Sequence, residues 1–160
     1  MMNILVDDSL KKLARKLRLL GFDTAVWSKS IDELASNERD IFLTKSRRFL
    51  EKALKMGIKS YLIKSDRWES QIRSVFQRLR VSFEDLRPFS RCTICNGSLE
   101  ELAKDSITGE VPEYILFTAA QFHKCTLCGR IYWRGSHTVH LERLLEITKV
   151  SGDTAEKNTL

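Results

Sequence analysis

Short apolar runs alternate along this chain with longer stretches of helical spacing. Asn3-Ile4-Leu5-Val6 is a run of strand length that stops at two carboxylates, Asp7 and Asp8. The next stretch puts Leu10, Leu13, Ala14, Leu17 and Leu20 on one helical stripe, with Lys11, Lys12, Arg15, Lys16 and Arg18 elsewhere around it. Gly21, just past its end, predicts a stop. Residues 24–27 read as a second strand, and Ser30-Ile31-Asp32-Glu33 has the spacing of a capping box opening a short helix. Residues 41–44 (IFLT) read as a third strand, after which Ser46 can cap a helix that Gly57 ends. Residues 61–63 form a fourth. Asp66, with Glu69 three residues on, is placed to cap a longer helix carrying Trp68, Ile72, Val75, Phe76 and Leu79 at helical spacing. Four strand–helix units in succession predict an α/β fold, a parallel sheet flanked by helices with right-handed crossovers. Residues 81–83 fit a short fifth strand less well.

The character of the chain changes at Arg87-Pro88. All four cysteines and several turn glycines lie between residues 89 and 140, residues 141–148 read as a closing helix, and the rest is polar. This divides the chain into residues 1–88, residues 89–148 and a flexible tail over 149–160.

Cys92-x-x-Cys95 and Cys125-x-x-Cys128 are two pairs separated by 29 residues. Two residues between cysteines let both thiolates turn onto one ion, and two such knuckles close a tetrahedron, the signature of structural zinc. Adjacent-pair spacing suits disulfides poorly. A closed four-thiolate site leaves no position for water, so this metal supports folding and not chemistry. Gly97 and Gly129 follow the pairs, where tight turns call for positive φ. His123, two residues before Cys125, is read as packing or surface.

Polar residues gather after the ends of the predicted strands. Asp7 and Asp8 follow the first, Ser30, Asp32 and Glu33 the second, Thr44, Lys45 and Ser46 the third, and Ser65 and Asp66 the fourth. In a doubly wound sheet these positions converge on one crevice. Carboxylates there could hold magnesium or manganese for phosphodiester hydrolysis; they could equally be helix caps. The opening ILVDDS with GFD also fits the start of a phosphoacceptor receiver domain. That family needs an acceptor aspartate where this chain has Phe42-Leu43-Thr44-Lys45, and it leaves the cysteine pairs unexplained.

Charge sharpens the picture. Residues 1–88 hold 19 Lys/Arg against 12 Asp/Glu, a net of +7, whereas residues 89–160 hold 8 against 9, a net of −1. The basic part would attract polyanions, with nucleic acid the usual candidate. No apolar run reaches the ~18 residues of a membrane span and no secretory signal is read, so a cytoplasmic protein without a membrane partner is expected.

Taken together, several segments carry a resemblance. They are Val6-Asp7 with L-x-x-L-A-R-x-L-R-x-L-G-x-D (Leu10 to Asp23), Ile41-Phe42-Leu43-Thr44, and Ser90-Arg91-Cys92-x-x-Cys95-Asn96-Gly97-x-Leu99. The last is Cys125-x-x-Cys128-Gly129-Arg130-x-Tyr132-Trp133-Arg134-Gly135-Ser136-His137. With these the chain resembles the Mut-seven C-terminal RNase domain family, over residues 3–140. The resemblance implies a PIN-like nuclease domain followed by a small zinc ribbon, and a metal-dependent ribonuclease. Asp7 matches the first metal-binding acid and Asp32 the region of the second, with Glu33 as substitute; Asp66 would assist in holding magnesium or manganese. The third acid departs from the pattern. The family reads L-T-x-D-R after the third strand, and Leu43-Thr44-Lys45-Ser46-Arg47 puts Ser46 where the aspartate is expected. Lys45 beside it disfavours a cation and favours a phosphate.

The expected RNA contacts are Lys11, Arg15, Lys45, Arg47, Trp133, Arg134 and His137, the aromatic and guanidinium groups being suited to unpaired bases. Tyr132 and Trp133 would alternatively cover the ribbon's small core or its seam with the first domain. His137 and His140, three apart, are read as surface or substrate contacts. The first functional reading is therefore a divalent-metal-dependent ribonuclease. The second is a catalytically weakened protein that binds RNA or the ribosome, and a third is a zinc-ribbon adaptor. Oligomeric state, RNA target and any compensating role of Asp8, Glu33 or Asp40 are not legible.

Overall fold

Ile4, Leu5 and Val6 are all buried. Successive side chains of a strand point to opposite faces, so an unbroken apolar run needs cover on both sides. The computed structural model describes residues 2–135 and 140–149, and it supplies that cover. Strands β1 (Asn3–Asp7), β2 (Asp23–Trp27), β3 (Ile41–Thr44) and β4 (Ser60–Leu62) form a parallel sheet in the order β2-β1-β3-β4. Ile4 and Val6 enter one core with Ile41 and Leu43; Leu5 enters the other with Phe42, Ile31 and Leu34.

Helices divide between the faces as strand progression requires. α1 (Lys11–Leu19) and α3 (Trp68–Leu79) cover the first core with Leu13, Leu17, Ile72, Val75 and Phe76. A 3-10 helix (Ile31–Ser36) and α2 (Arg47–Lys55) cover the second. The chain steps one way from β1 to β2 and the other way from β2 to β3. With constant crossover handedness that reversal moves the covering helix to the opposite face and leaves a switch point between β1 and β3.

α1 closes in a Schellman arrangement, with the Phe22 amide on Leu17 O at 3.0 Å and Gly21 at φ +99°. A Cβ at position 21 would run into the Arg87 carbonyl, so glycine is required twice over.

Several details differ from the sequence expectations. Residues 81–83 form no strand: Arg80 turns left-handed, and Ser82 with Asp85 makes a capping box for a 3-10 turn (Phe83–Asp85). The short helix expected after Ser30 is present, as a 3-10 helix capped by Ser30. Asp66 caps nothing; Arg67 stands at the cap of α3, and the Ser65 hydroxyl accepts from the Arg67 amide at 3.1 Å.

The second sheet is antiparallel, β5 (Leu99–Leu102), β6 (Phe122–Cys125) and β7 (Ile131–Trp133) in that order. It carries its own small core of Ile107, Val111, Ala119 and Phe122, beside the short α4 (Glu113–Thr118). The expected closing helix is present over 140–149 as α5, but its apolar stripe belongs to the other core. Leu141, Leu144 and Ile147 join the first sheet's core, and Arg143 pairs with Glu69 of α3 at 3.0 Å. Apart from Lys149, the expected tail lies outside the described residues. The architecture is thus α/β, a parallel four-stranded sheet flanked by helices, with a cysteine cluster in the C-terminal part. No helix among the described residues is long and apolar enough to cross a membrane.

Candidate functional site

β1 ends at the switch point, and Asp7 is its last residue, only 5% exposed. Its Oδ1 accepts from the Ser9 amide at 2.8 Å and from the Ser9 hydroxyl. Its Oδ2 accepts from the Lys45 amide at 3.0 Å and from the Thr44 hydroxyl. A carboxylate offers about four acceptor positions, and all are taken. Asp7 is itself the cap of the 3-10 turn (Asp8–Leu10), and through Thr44 and Lys45 it ties the end of β1 to the end of β3. Ser46 caps α2, its hydroxyl accepting from the Phe49 amide at 3.3 Å.

The remaining acids are dispersed. Asp32 is exposed (72% at the side chain) and pairs with Lys52 of α2 at 3.2 Å. Asp66 is more exposed still, at 86%, and pairs with Lys45. Asp8 pairs with Lys11 at 2.6 Å, and Glu33 is exposed. Asp40 accepts from the Asn3 amide at 2.7 Å, at the opposite end of β1. Four residues of strand put that about 13 Å from Asp7, so Asp40 does not compensate at position 46. Among the described residues these acids form no group of three with ligand atoms within 4.8 Å. Magnesium and manganese take carboxylate oxygens with open lone pairs. With Asp7 saturated and Asp32 and Asp66 facing lysines, this donor set as arranged does not fit either ion.

The cysteines do come together. The sulfurs of Cys92, Cys95, Cys125 and Cys128 lie within 4.8 Å of one another, with Cys92–Cys128 at 3.7 Å and Cys95–Cys125 at 3.4 Å. A zinc tetrahedron with bonds of about 2.3 Å has sulfurs about 3.8 Å apart, so the set fits zinc; disulfide sulfurs would be about 2 Å apart.

Each knuckle turns on a left-handed residue, Gly129 (φ 73°) in the second and Asn96 (φ 68°) in the first. Gly97 is needed for a different reason from the expected one: a Cβ there would sit 2.8 Å from Cys125 Sγ. The Tyr132 hydroxyl lies 3.0 Å from Cys92 Sγ. Burial would raise the Cys92 thiol, but the Cys95 amide, the Tyr132 hydroxyl and the Ile94 amide outweigh it and bring it down to about 6. Burial and the neighbouring Cys92 push Tyr132 up to about 12.

The two sheets are stitched together beside this centre by residues that no motif marked. Arg18 is buried; its Nε donates to Thr24 O at 2.8 Å, and its NH1 to Thr93 O and Ile94 O at 3.1 and 2.8 Å. Burial lowers its pKa, opposed by the Cys92 and Cys95 thiolates and reinforced by Arg15 and Arg39. The Asn96 amide group donates to Asp23 at 2.7 Å and accepts from the Thr24 amide at 3.1 Å. Asp23 also pairs with Arg39 at 2.6 Å and Arg91 at 3.4 Å. The faint signal was Arg18 one residue past Leu17, at the margin of the apolar stripe, in a helix otherwise basic only outside it.

Of the expected RNA contacts, Lys11, Arg15 and Arg47 are exposed on α1 and α2, and Lys45 lies at the crevice. Trp133 packs against the small core of the second sheet, and Arg134 stands 6.0 Å over the Phe89 ring. His137 lies outside the described residues. Phe89 in turn stacks on His123, with centroids 5.9 Å apart.

No curated protein and no solved structure matches the chain. A family model does, that of the Mut7-C RNAse domain, and it matches residues 2–145, most of the chain. The cysteine centre, the acid at the switch point and this match agree: the chain belongs to the Mut7-C RNAse domain family.

Proposed function

We propose that this protein binds RNA through the basic surface of residues 1–88, and that its ribonuclease centre is weakened. The observation that carries the reading is the state of Asp7. All its acceptor positions are engaged by Ser9, Thr44 and Lys45, and the neighbouring Ser46 brings no charge. Lys45 already neutralises Asp66. A crevice so arranged suits a phosphate beside Lys45, with the exposed Arg47 at the start of α2 as a further RNA contact. In this reading residues 1–88 are a PIN-like domain, residues 89–148 a zinc ribbon, and Lys11, Arg15, Trp133 and Arg134 further RNA contacts. Zinc on the four cysteines supplies folding energy and no chemistry.

The second reading is an active ribonuclease using magnesium or manganese, with Asp7, Asp32 and Asp66 as ligands once released from their present partners. It is favoured by the place of Asp7 beyond the end of a parallel strand at the switch point, where such folds keep their ligands.

One experiment separates the two. Structured and unstructured RNA is incubated with wild type, Asp7→Asn and Ser46→Asp, in manganese or in EDTA. The first reading expects RNA binding by wild type, with manganese-dependent cleavage only by Ser46→Asp. Cleavage by wild type that Asp7→Asn abolishes establishes the second. Equal cleavage by wild type and Asp7→Asn removes Asp7 from the chemistry altogether.

A further inference from the structure

The seam between α1 and the first knuckle holds two adjoining depressions. One is a groove of about 480 Å³ lined by Lys11, Arg15, Arg18, Arg39, Ile94 and Asn96 along the open edge of β2. Four cations line it and no carboxylate does. Lys11, Arg15 and Arg18 are spaced i, i+4, i+7, so they form one stripe of α1. Some of this charge is already used. Arg18 serves backbone carbonyls, Arg39 pairs with Asp23, and Lys11 with Asp8. Arg15 is exposed and has no acidic partner among the described residues. The Lys11–Asp8 pair is mostly exposed, so it stabilises little and yields readily to a phosphate.

Arg15 also walls the second depression, a cavity of about 250 Å³. Its other walls are Leu19 of α1, Phe89, Thr93, Tyr132, Trp133 and His140. Lys16 stands at its side with its ammonium 3.1 Å from His140 Nε2. A cavity this small, walled by four rings and approached through cations, admits one flat ring system and excludes a helix or strand of another chain. Unpaired nucleic acid carries that combination, a base that stacks and a phosphate one sugar away.

Resting on the RNA reading above, we propose that this seam is a single-stranded RNA track. Phosphates run along the Lys11–Arg15 stripe, and one unpaired base enters the cavity between Leu19 and the Tyr132–Trp133 wall. Arg15, shared by groove and cavity, holds the phosphate next to the inserted base. A duplex, whose bases are stacked and paired, cannot make the insertion. The ribbon thereby contributes to choosing single-stranded RNA, although its own net charge is slightly negative.

Binding is measured by fluorescence anisotropy on the zinc-loaded full chain, without added magnesium or manganese. The ligands are an unstructured RNA, the same strand with abasic sites, and the blunt duplex. The track expects the intact single strand to bind roughly tenfold or more tightly than either of the others, since stacking one base contributes at this scale. Arg15→Ala should weaken single-strand binding about tenfold and reduce the salt slope by about one. Trp133→Leu should erase the difference between intact and abasic strands; should that variant not fold, the abasic comparison on wild type decides alone. Equal affinity for intact and abasic strands overturns the base cavity while leaving RNA binding standing. No affinity for any RNA at low salt overturns both.

Discussion

Asp23 sits where three parts of the chain meet: β2, the Arg39 side chain before β3, and the first knuckle. Burial alone would raise its carboxyl. Hydrogen bonds from Asn96 and Arg39 and the charges of Arg39 and Arg91 outweigh that, and hold it below the ordinary carboxylate range. A depressed folded-state pKa contributes stability above the unfolded value of about 3.9, lost as pH falls through the folded one. Asp23→Asn should therefore cost about 2 kcal/mol at neutral pH, the scale of hydrogen bonds to a charged group. Thermal midpoints of wild type and variant should converge below about pH 4. Curves that stay parallel down to the acid limit would show that Asp23 carries no linkage.

Asp7 shows how far one residue can be read from sequence. Its place after the first strand was legible, because an apolar run ending in a carboxylate has few alternatives in an α/β fold. Its partners were not. Thr44 and Lys45 are 37 and 38 residues away, and only the β1–β3 pairing brings them to its second oxygen.

Among the elements, α5 is the one whose position periodicity could not predict. Its spacing shows an apolar stripe and is silent about the surface that receives it. The chain leaves the first sheet at Arg87, builds the second, and returns to bury Leu141, Leu144 and Ile147 beside α1 and α3. Leu144 is fully buried, so Leu144→Ala should destabilise the protein by about 2–5 kcal/mol in denaturant unfolding. The exposed neighbour change Glu142→Ala should stay within about 0.5 kcal/mol. Similar small effects for both would mean that α5 does not belong to that core.

The failed expectations at this scale have local causes. Residues 81–83 are apolar enough for a strand. Yet Arg80 in the left-handed region ends α3, and Ser82 finds its partner in Asp85 three residues on, so the backbone turns before it can pair. At Asp66 the lysine at the end of β3 takes the carboxylate away from the helix it would have capped.

On the scale of the whole molecule, the cysteine centre and the sheet are coupled through Arg18 and Asn96. The carbonyls that Arg18 holds belong to the turn between Cys92 and Cys95, so the knuckle's fold and the edge of β2 depend on each other. Stripping metal from the four cysteines with a chelator should loosen this seam before it loosens the sheet. In hydrogen exchange the Thr24 amide, which donates to Asn96, should lose protection on adding chelator. The amides of β3, inside the sheet, should keep theirs. Equal loss at both would mean that the two sheets unfold as one unit.

By itself the amino-acid sequence determined the α/β class, the four strands of the first sheet to within a residue at each end, the helix stripes and the four cysteines, together with the family resemblance that the match bears out. These are properties of periodicity and short-range spacing, which act between residues near in the chain. Only the tertiary structure decided that Asp7 is saturated, that Lys45 faces Asp66, that Arg18 is a buried clasp, and that Arg15 looks onto a ring-lined cavity. Each depends on side chains tens of residues apart meeting across strands and sheets, and no local pattern encodes which of several equally polar candidates will meet.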